Sequence, residues 1–162
     1  MHAQLIVQLL ILLALANGTP VIAKKLLGNP LARPLDGGAL FFDGQPIFGK
    51  SKTIRGIVLS VTATTCLAPL VGASYRMGAL VAATAMAGDL LSSFTKRRLV
   101  LRESSQAIGL DQVPESLLPA LACRWVVPPS TLDAVVVTAL FFLGELAFSR
   151  ILYRWKIRDR PY

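Results

Sequence analysis

The sequence has almost no histidine, few aromatic residues and only two cysteines, and each shortage narrows what the chain can do. The single histidine among 162 residues is His2, which leaves no histidine catalyst and no histidine-rich metal site. Aromatic residues make up 7% and do not alternate with the cations, so no stacking platform for nucleic-acid bases is indicated, and no nucleic acid is expected as a partner. Cys66 and Cys123 lie in apolar stretches and are interpreted as free, packed thiols.

A polar block long enough to form a separate soluble domain is also missing. Hydrophobic residues make up 54% of the chain and are clustered in runs, which is typical of an integral membrane protein. We predict one domain over residues 1–162, an all-α bundle of five transmembrane helices with a polar loop on the cytoplasmic side. The spans are expected at about 3–23, 54–73, 77–94, 114–130 and 132–153.

The first apolar segment has two interpretations. Residues 14–16 resemble a signal-peptidase site, but no Lys or Arg precedes the segment and two lysines, Lys24 and Lys25, follow it. That order favours a retained span with its N-terminus outside. Pro20 is expected to bend or break this helix.

Basic residues predict the orientation of the protein in a cell membrane. With five spans, 15 of the 17 fall on one side, which would be the cytoplasmic side and would include the C-terminus. They are Lys24, Lys25, Arg33, Lys50, Lys52, Arg55, Lys96, Arg97, Arg98, Arg102, Arg150, Arg154, Lys156, Arg158 and Arg160. A helix over the 14 residues 114–127 rises only about 21 Å, short of a hydrocarbon layer of about 30 Å. Whether segment 114–130 crosses fully is therefore left open.

Asp89 is the one charge between residues 77 and 94. A carboxylate at membrane depth costs several kcal/mol, roughly 2.5–3.5 on insertion scales, so it usually faces a partner or a wet cavity. On a helix, Asp89, Ser93 and Lys96 share one face, with Arg97 beside it. This row suits a divalent cation and the phosphates that it carries. The alternative is an Asp89 that only bonds a neighbouring helix and a Lys96 that reaches the headgroups.

Residues 24–55 form a long polar loop rich in glycine and proline. Its segment Gly44 to Ser51 fits the P-loop pattern G-x-x-x-x-G-K-[ST] letter for letter. No buried strand precedes it, Pro46 interrupts it and a membrane span follows, so we reject a P-loop NTPase. Glycines, backbone N–H groups and cations at a helix start nevertheless favour phosphate.

Acids and cations from separate segments are expected on one membrane face. Asp89 and Asp111 can jointly hold Mg²⁺, which prefers carboxylates together with substrate phosphates, and the surrounding cations can neutralise a nucleotide triphosphate. Because no Cys or Ser lies beside a base, nucleophilic catalysis by the protein is poorly supported. Phosphoryl or nucleotidyl transfer needs only positioning and charge stabilisation.

The motifs together resemble one family. They are Asn17-x-x-Pro20, Pro34-Leu-Asp36-Gly37, Asp43-Gly44, Gly49-Lys-Ser-Lys52-Thr53-Ile-Arg55-Gly56, Gly88-Asp89-x-x-x-Ser93-Phe94-x-Lys96-Arg97-Arg98 and Leu110-Asp111-Gln112. In this order and spacing the chain resembles the CDP-archaeol synthases, relatives of the phosphatidate cytidylyltransferases. The resemblance implies a five-span bundle with a cytoplasmic active site. It also implies Mg²⁺-dependent transfer of CMP from CTP to the phosphate of a membrane glycerolipid, giving a CDP-lipid and pyrophosphate.

The resemblance also implies roles for individual residues. Asp89 and Asp111 would hold the metal, and with Lys52 and Lys96 they are the candidate catalytic residues. The candidate substrate-binding residues, which would contact CTP or the lipid phosphate, are Asn17, Asp36, Asp43, Lys52, Thr53, Arg55, Ser93, Lys96, Arg97 and Arg98. Asp36 and Asp43 would either lie on the side of the site that binds the nucleotide or have a structural role. The role of Glu145 stays open.

Two other functions remain possible from the sequence. A small transporter or channel for an anionic solute explains the cations, with Asp89 lining its path. It does not explain why acids and glycines accumulate on one face. A non-catalytic membrane scaffold leaves Asp89 unexplained. The chemistry of the lipid tails and the oligomeric state are not predicted.

The five-span topology predicts opposite labelling of two tyrosine positions. Tyr75, in the turn between the second and third spans, and Tyr162, at the C-terminus, are each replaced by cysteine in separate variants. Because an odd number of crossings separates them, an impermeant thiol reagent should label only one of the two in intact cells. Labelling of both from the same side would contradict five spans.

Overall fold

Five helices form the structure, a computed structural model that describes residues 2–28, 31–103, 105 and 107–155, without the side chains of Arg150 and Leu152. The helices are α1 (Ala3–Leu27), α2 (Ile54–Leu67), α3 (Tyr75–Arg98), α4 (Gln112–Ala122) and α5 (Thr131–Arg154). Short 3-10 turns, Ala68–Val71 and Cys123–Trp125, extend α2 and α4. Within this part of the chain no strand forms, and two isolated β-bridges lie in the loop before α2. The prediction of an all-α five-helix bundle is confirmed.

Four of the described helices are long and apolar enough to cross a membrane. They are α1, α2 with its 3-10 extension, α3 and the Thr131–Ser149 part of α5. Helix α4 has 11 residues and is too short to cross alone. The prediction of a multi-pass membrane protein is confirmed. The orientation of the termini stays a prediction. Three of the C-terminal cations on which it rests, Lys156, Arg158 and Arg160, lie outside the described residues.

Pro20 does not break the first helix, which continues through it to Leu27. Of the two predicted effects, a bend or a break, the break is therefore wrong, and the neighbouring helix supplies the reason. Proline has no N–H to donate to the carbonyl four residues earlier, which is that of Ala16. The Ser60 hydroxyl of α2 donates to this carbonyl at 2.7 Å. A side chain thus replaces the missing helical hydrogen bond and joins α1 to α2.

The apolar core lies along α1 and α3. Leu9, Leu12 and Leu13 of α1 are fully buried, as is Val81 of α3. At the start of the chain, the backbone N–H and ring Nδ1 of His2 bond the two oxygens of Asp133 in the first turn of α5. Burial of the leucines and this polar contact hold α1 in the middle of the bundle.

The backbones of helices α3 and α4 lie in close contact at Gly88. A Cβ atom placed there would lie within 2.8 Å of the Glu115 nitrogen and would also collide with the Pro114 carbonyl. Only glycine allows the two backbones to come this close without displacement. Because Asp89 follows Gly88 and Glu115 follows Pro114, this crossing also brings two acidic side chains together.

We expect Gly88→Ala to destabilise the bundle although alanine is the better helix former. Overpacking typically costs about 1–3 kcal/mol, which exceeds the helix-propensity gain of about 1 kcal/mol. The matched control is Gly144→Ala in α5, where a Cβ meets nothing within 4 Å. Thermal unfolding in detergent should show a lower Tm for Gly88→Ala only. Equal Tm values for both variants would contradict the close crossing.

Candidate functional site

A cavity of about 840 Å³ lies between the loop before α2 and all five helices. Its wall carries most of the residues that the sequence singled out. Nine of the twelve predicted site residues line it, namely Asn17, Lys52, Thr53, Arg55, Asp89, Ser93, Lys96, Arg97 and Asp111. Residues from four separate segments therefore converge on one space.

The Lys52 ammonium group binds the Asp89 carboxylate through both oxygens. Lys52 Nζ lies 2.5 Å from Asp89 Oδ1 and 2.6 Å from Oδ2. Burial acts to lower the pKa of Lys52, but the Asp89 charge outweighs it, with smaller contributions from Glu115 and Asp111, and the pKa lies above its ordinary value. Lys52 therefore stays protonated, and the charge within the third span has a partner from the loop.

A second pair repeats this arrangement about two turns further along α3. Lys96 Nζ lies 2.7 Å from Asp111 Oδ1 and donates to the Ser105 carbonyl at 3.1 Å. The other Asp111 oxygen, Oδ2, accepts the N–H of Ala107 at 2.9 Å. Lys96 is buried, so it does not reach outward to the headgroups as the alternative interpretation required. The two pairs set two carboxylates and two ammonium groups on the cavity wall.

The other predicted residues on the wall have structural contacts as well. Thr53 caps α2, because its hydroxyl accepts the Gly56 N–H at 3.1 Å. Arg55 donates to the Gly28 carbonyl at 2.9 Å, and Asn17 donates to the Leu13 carbonyl within α1 at 3.2 Å. These contacts fix the side chains in place and leave their polar surfaces at the cavity.

Arg97 and Ser93 are buried at the cavity end of α3. The Arg97 guanidinium donates to the Arg102 carbonyl at 2.9 Å, which folds the chain after α3 back over the helix end. With the Arg102 carbonyl as its acceptor among the described residues, this buried guanidinium retains donors for an anion in the cavity.

Arg98, Asp43 and Asp36 are not part of the cavity wall. Arg98 forms an ion pair with Asp43 at 2.8 Å and donates to the Pro46 carbonyl at 2.6 Å. Its guanidinium carbon lies 4.7 Å and 4.9 Å from the ring centroids of Phe41 and Phe94. These contacts hold the loop against α3, so of the two roles left open for Asp43 the structure favours the structural one.

Asp36 organises the same loop from within. Its carboxylate accepts the N–H groups of Gly38, Phe48 and Gly49 at 2.9–3.0 Å. Burial acts to raise the pKa of Asp36, but these hydrogen bonds together lower it below the ordinary value of 3.8. The charged carboxylate is thus part of the loop fold, which also makes the structural role of Asp36 the better supported one.

Glu115 is an acidic residue of the cavity that the sequence interpretation missed. It is buried in α4 and lines the cavity together with Asp89. Glu145 of α5, whose role was left open, also lines the cavity. The signal in the sequence was spacing: Glu115 lies four residues after Asp111, so both belong to one helical face.

The donor chemistry fits a hard divalent cation. Carboxylate oxygens are the ligands that Mg²⁺ prefers, and Asp89 and Asp111 each already hold a cationic ammonium group at the cavity. Across the described residues, no group of three or more His, Cys, Asp and Glu side chains is arranged to hold a metal by protein ligands alone. Substrate phosphates would have to complete the coordination, as is usual for Mg²⁺.

Comparison with known proteins decides the family. Residues 3–162 match the family described as CarS-like, CDP-archaeol synthase. The chain belongs to the CDP-archaeol synthase family. The prediction made from its motifs is confirmed, and with it an enzyme of lipid biosynthesis that uses CTP as a cytidylyltransferase.

Individual CDP-archaeol synthases match over nearly the whole chain. The protein of Pyrobaculum calidifontis is 36% identical over 97% of this chain and 98% of its own length. That of Hyperthermus butylicus is 34% identical over 84% of both chains. A solved structure described as an intramembrane enzyme for archaeal membrane lipid biosynthesis is 29% identical, with a TM-score of 0.70 over 85% of this chain and 90% of the other. Family membership favours the enzyme over the transporter and the scaffold.

We expect Asp36→Asn to loosen the loop before α2. An amide has one acceptor oxygen, so at least one of the N–H groups of Gly38, Phe48 and Gly49 loses its acceptor. Because the side chain is only partly buried, the cost should lie below the roughly 1–3 kcal/mol of a fully buried group. Asp43→Asn is the comparison, since it weakens the contact with Arg98 and the acceptor for the Gln45 N–H, while Arg98 keeps its bonds to the loop carbonyls. Amide hydrogen exchange at Gly38, Phe48 and Gly49 should rise in Asp36→Asn, whereas in Asp43→Asn any rise should be confined to residues 43–46.

The same contact gives a pH dependence with a defined sign. The folded pKa of Asp36 lies below 3.8, so its stabilisation is complete above that pH and is lost as the pH falls through the folded pKa. Wild-type protein should therefore lose loop protection in acid, whereas Asp36→Asn should lose none there. An acid profile that is unchanged by the substitution would assign the effect to another group.

Proposed function

We propose that the protein transfers CMP from CTP to the phosphate of an archaeal-type ether glycerolipid, giving a CDP-lipid and pyrophosphate. The observation that carries this proposal is the cavity wall, where the Lys52–Asp89 and Lys96–Asp111 pairs lie together beside Arg55 and Arg97. Membership of the CDP-archaeol synthases supports the ether lipid as the acceptor.

The lysines are the residues that change partners when substrate binds. In the structure each ammonium group compensates an internal carboxylate at 2.5–2.7 Å. Phosphate oxygens are comparable anionic acceptors, so Lys52 and Lys96 can bind the triphosphate without leaving a cation unpaired. Arg55 and Arg97 add fixed guanidinium donors on the same wall.

Asp89 and Asp111 are the residues that would hold Mg²⁺. When the two lysines bind phosphate oxygens instead, both carboxylates are left at the cavity as hard oxygen ligands. Bound there with the nucleotide phosphates, the metal would supply a charge that offsets the negative charge on the phosphate oxygens. Glu115 lies on the same wall as a further carboxylate.

The reaction needs no general base from the protein. A lipid phosphate oxygen is already ionised near neutral pH, attacks the α-phosphorus of CTP, and displaces pyrophosphate, which leaves with the bridging oxygen. The main barrier is repulsion between two anions, which fixed cations are suited to lower. Because the paired groups lie along the C-terminal half of the spanning helix α3, CTP from water and a lipid within its leaflet can reach the same place.

The test is transfer of radiolabelled CMP from CTP to an ether-lipid phosphate in detergent micelles, measured against Mg²⁺ concentration. We expect Asp89→Asn and Asp111→Asn each to abolish transfer while the protein stays folded, because the amide removes the charge that a hard cation selects. Each substitution leaves one lysine without its carboxylate, but Lys52 and Lys96 line the cavity, where water can solvate the ammonium group, so the fold should be retained with a lower Tm. Thermal unfolding is measured in parallel for both variants.

The matched control is Glu103→Gln. This carboxylate also borders the cavity but bonds the backbone N–H of Lys50 rather than a lysine side chain. It should retain most of the activity. A wild-type rate at saturating Mg²⁺ in Asp89→Asn or Asp111→Asn would remove that residue from the metal site. No transfer by wild-type protein to any lipid phosphate would reject the proposed reaction.

A further inference from the structure

A short hairpin in the loop before α2 exposes apolar side chains at its tip. We call residues 39–47 the tip hairpin; its arms are joined by a bridge between Leu40 and Pro46 and by the bond from Phe41 N–H to the Gln45 carbonyl at 2.8 Å. Phe42 is 100% exposed and Leu40 is 62% exposed. Neither lines the cavity, so the proposed reaction does not account for them.

The depth of the tip hairpin follows from what Phe41 touches. Its ring packs edge-on against Phe94, with the centroids 5.3 Å apart. Phe94 lies one turn before the end of the spanning helix α3, and the Phe42 ring is 5.0 Å from that of Phe41. Phe42 is therefore held at the level of the last turn of a membrane helix, and its ring faces away from the protein.

The surroundings at this level fit a lipid surface. Leu99 and Val100, which follow α3 directly, are exposed apolar residues. Polar residues would be expected at these positions if the chain entered water there. Arg33 and Arg102 are exposed cations on the flanking segments. Apolar side chains beside cations are the combination that binds the boundary between acyl chains and anionic headgroups.

We propose that the tip hairpin inserts into the bilayer interface, with Phe42 as its anchor. Aromatic side chains are favoured at this depth of a membrane. Arg98 connects the anchor to the bundle, since its guanidinium lies against Phe41 and Phe94 and also bonds the carbonyls of Gln45 and Pro46. The loop that carries Lys52 is thereby fixed at two points, the lipid surface and α3. This inference does not depend on the proposed reaction.

A tryptophan reporter tests the insertion. Phe42→Trp is made in a background with Trp125→Phe and Trp155→Phe, which removes the native tryptophans. The full-length protein is reconstituted in phosphatidylcholine vesicles whose acyl chains are brominated either near the headgroup or near the chain end. We expect shallow bromines to quench residue 42 more strongly than deep bromines, and aqueous acrylamide to quench it several-fold less than free N-acetyltryptophanamide.

Two further reporters serve as controls. Leu143→Trp lies exposed in the middle of α5 and should show the reverse order, with deep bromines the stronger quencher. Leu40→Trp, on the same hairpin, repeats the measurement should Phe42→Trp fail to fold. Strong acrylamide quenching with no effect of bromine would place the tip in water and overturn the proposal. Protection from both quenchers would show that protein covers the tip, a second copy included, and would overturn it equally.

Discussion

The Lys52–Asp89 ion pair is the interaction on which the arrangement of this protein depends. Asp89 places a charge within a spanning helix, and such a charge is tolerated only with a partner. Lys52 comes from the loop and supplies it through both carboxylate oxygens. The following residue, Thr53, caps α2, so the same few residues that neutralise α3 also set where the next helix begins. Loop, helix start and buried charge are thus positioned together.

The fold was largely predictable because its signals are strong and local. Long apolar runs locate the membrane helices, and the lone charge in the third run identifies Asp89. Continuation of α1 through Pro20 was not predictable, because it depends on a hydroxyl of Ser60, 40 positions later in the chain. Pairing of each site carboxylate with a lysine was likewise hidden, since the Lys52 and Asp89 contact spans 37 positions of sequence.

Among the candidate site residues, charge alone did not separate those at the cavity from those that support it. Lys96, Arg97 and Arg98 are consecutive cations, yet the first two line the cavity while the third holds the tip hairpin. A helix turns about 100° per residue, so neighbours in sequence face different surroundings. Glu115 was missed for the opposite reason, because its helix is short and lacks the long apolar run that made Asp89 conspicuous.

The paired lysines have a consequence for which anions the cavity admits. A free anion that draws Lys52 or Lys96 away leaves a buried carboxylate without a counter-charge, and such an uncompensated charge is costly. Under the proposed reaction, an anion that arrives together with its own cation would restore the missing charge in the same event. The balance of charge at the wall would then favour a metal-bound nucleotide over free phosphate. The internal salt bridges would in this way select among solutes before any bond is made or broken.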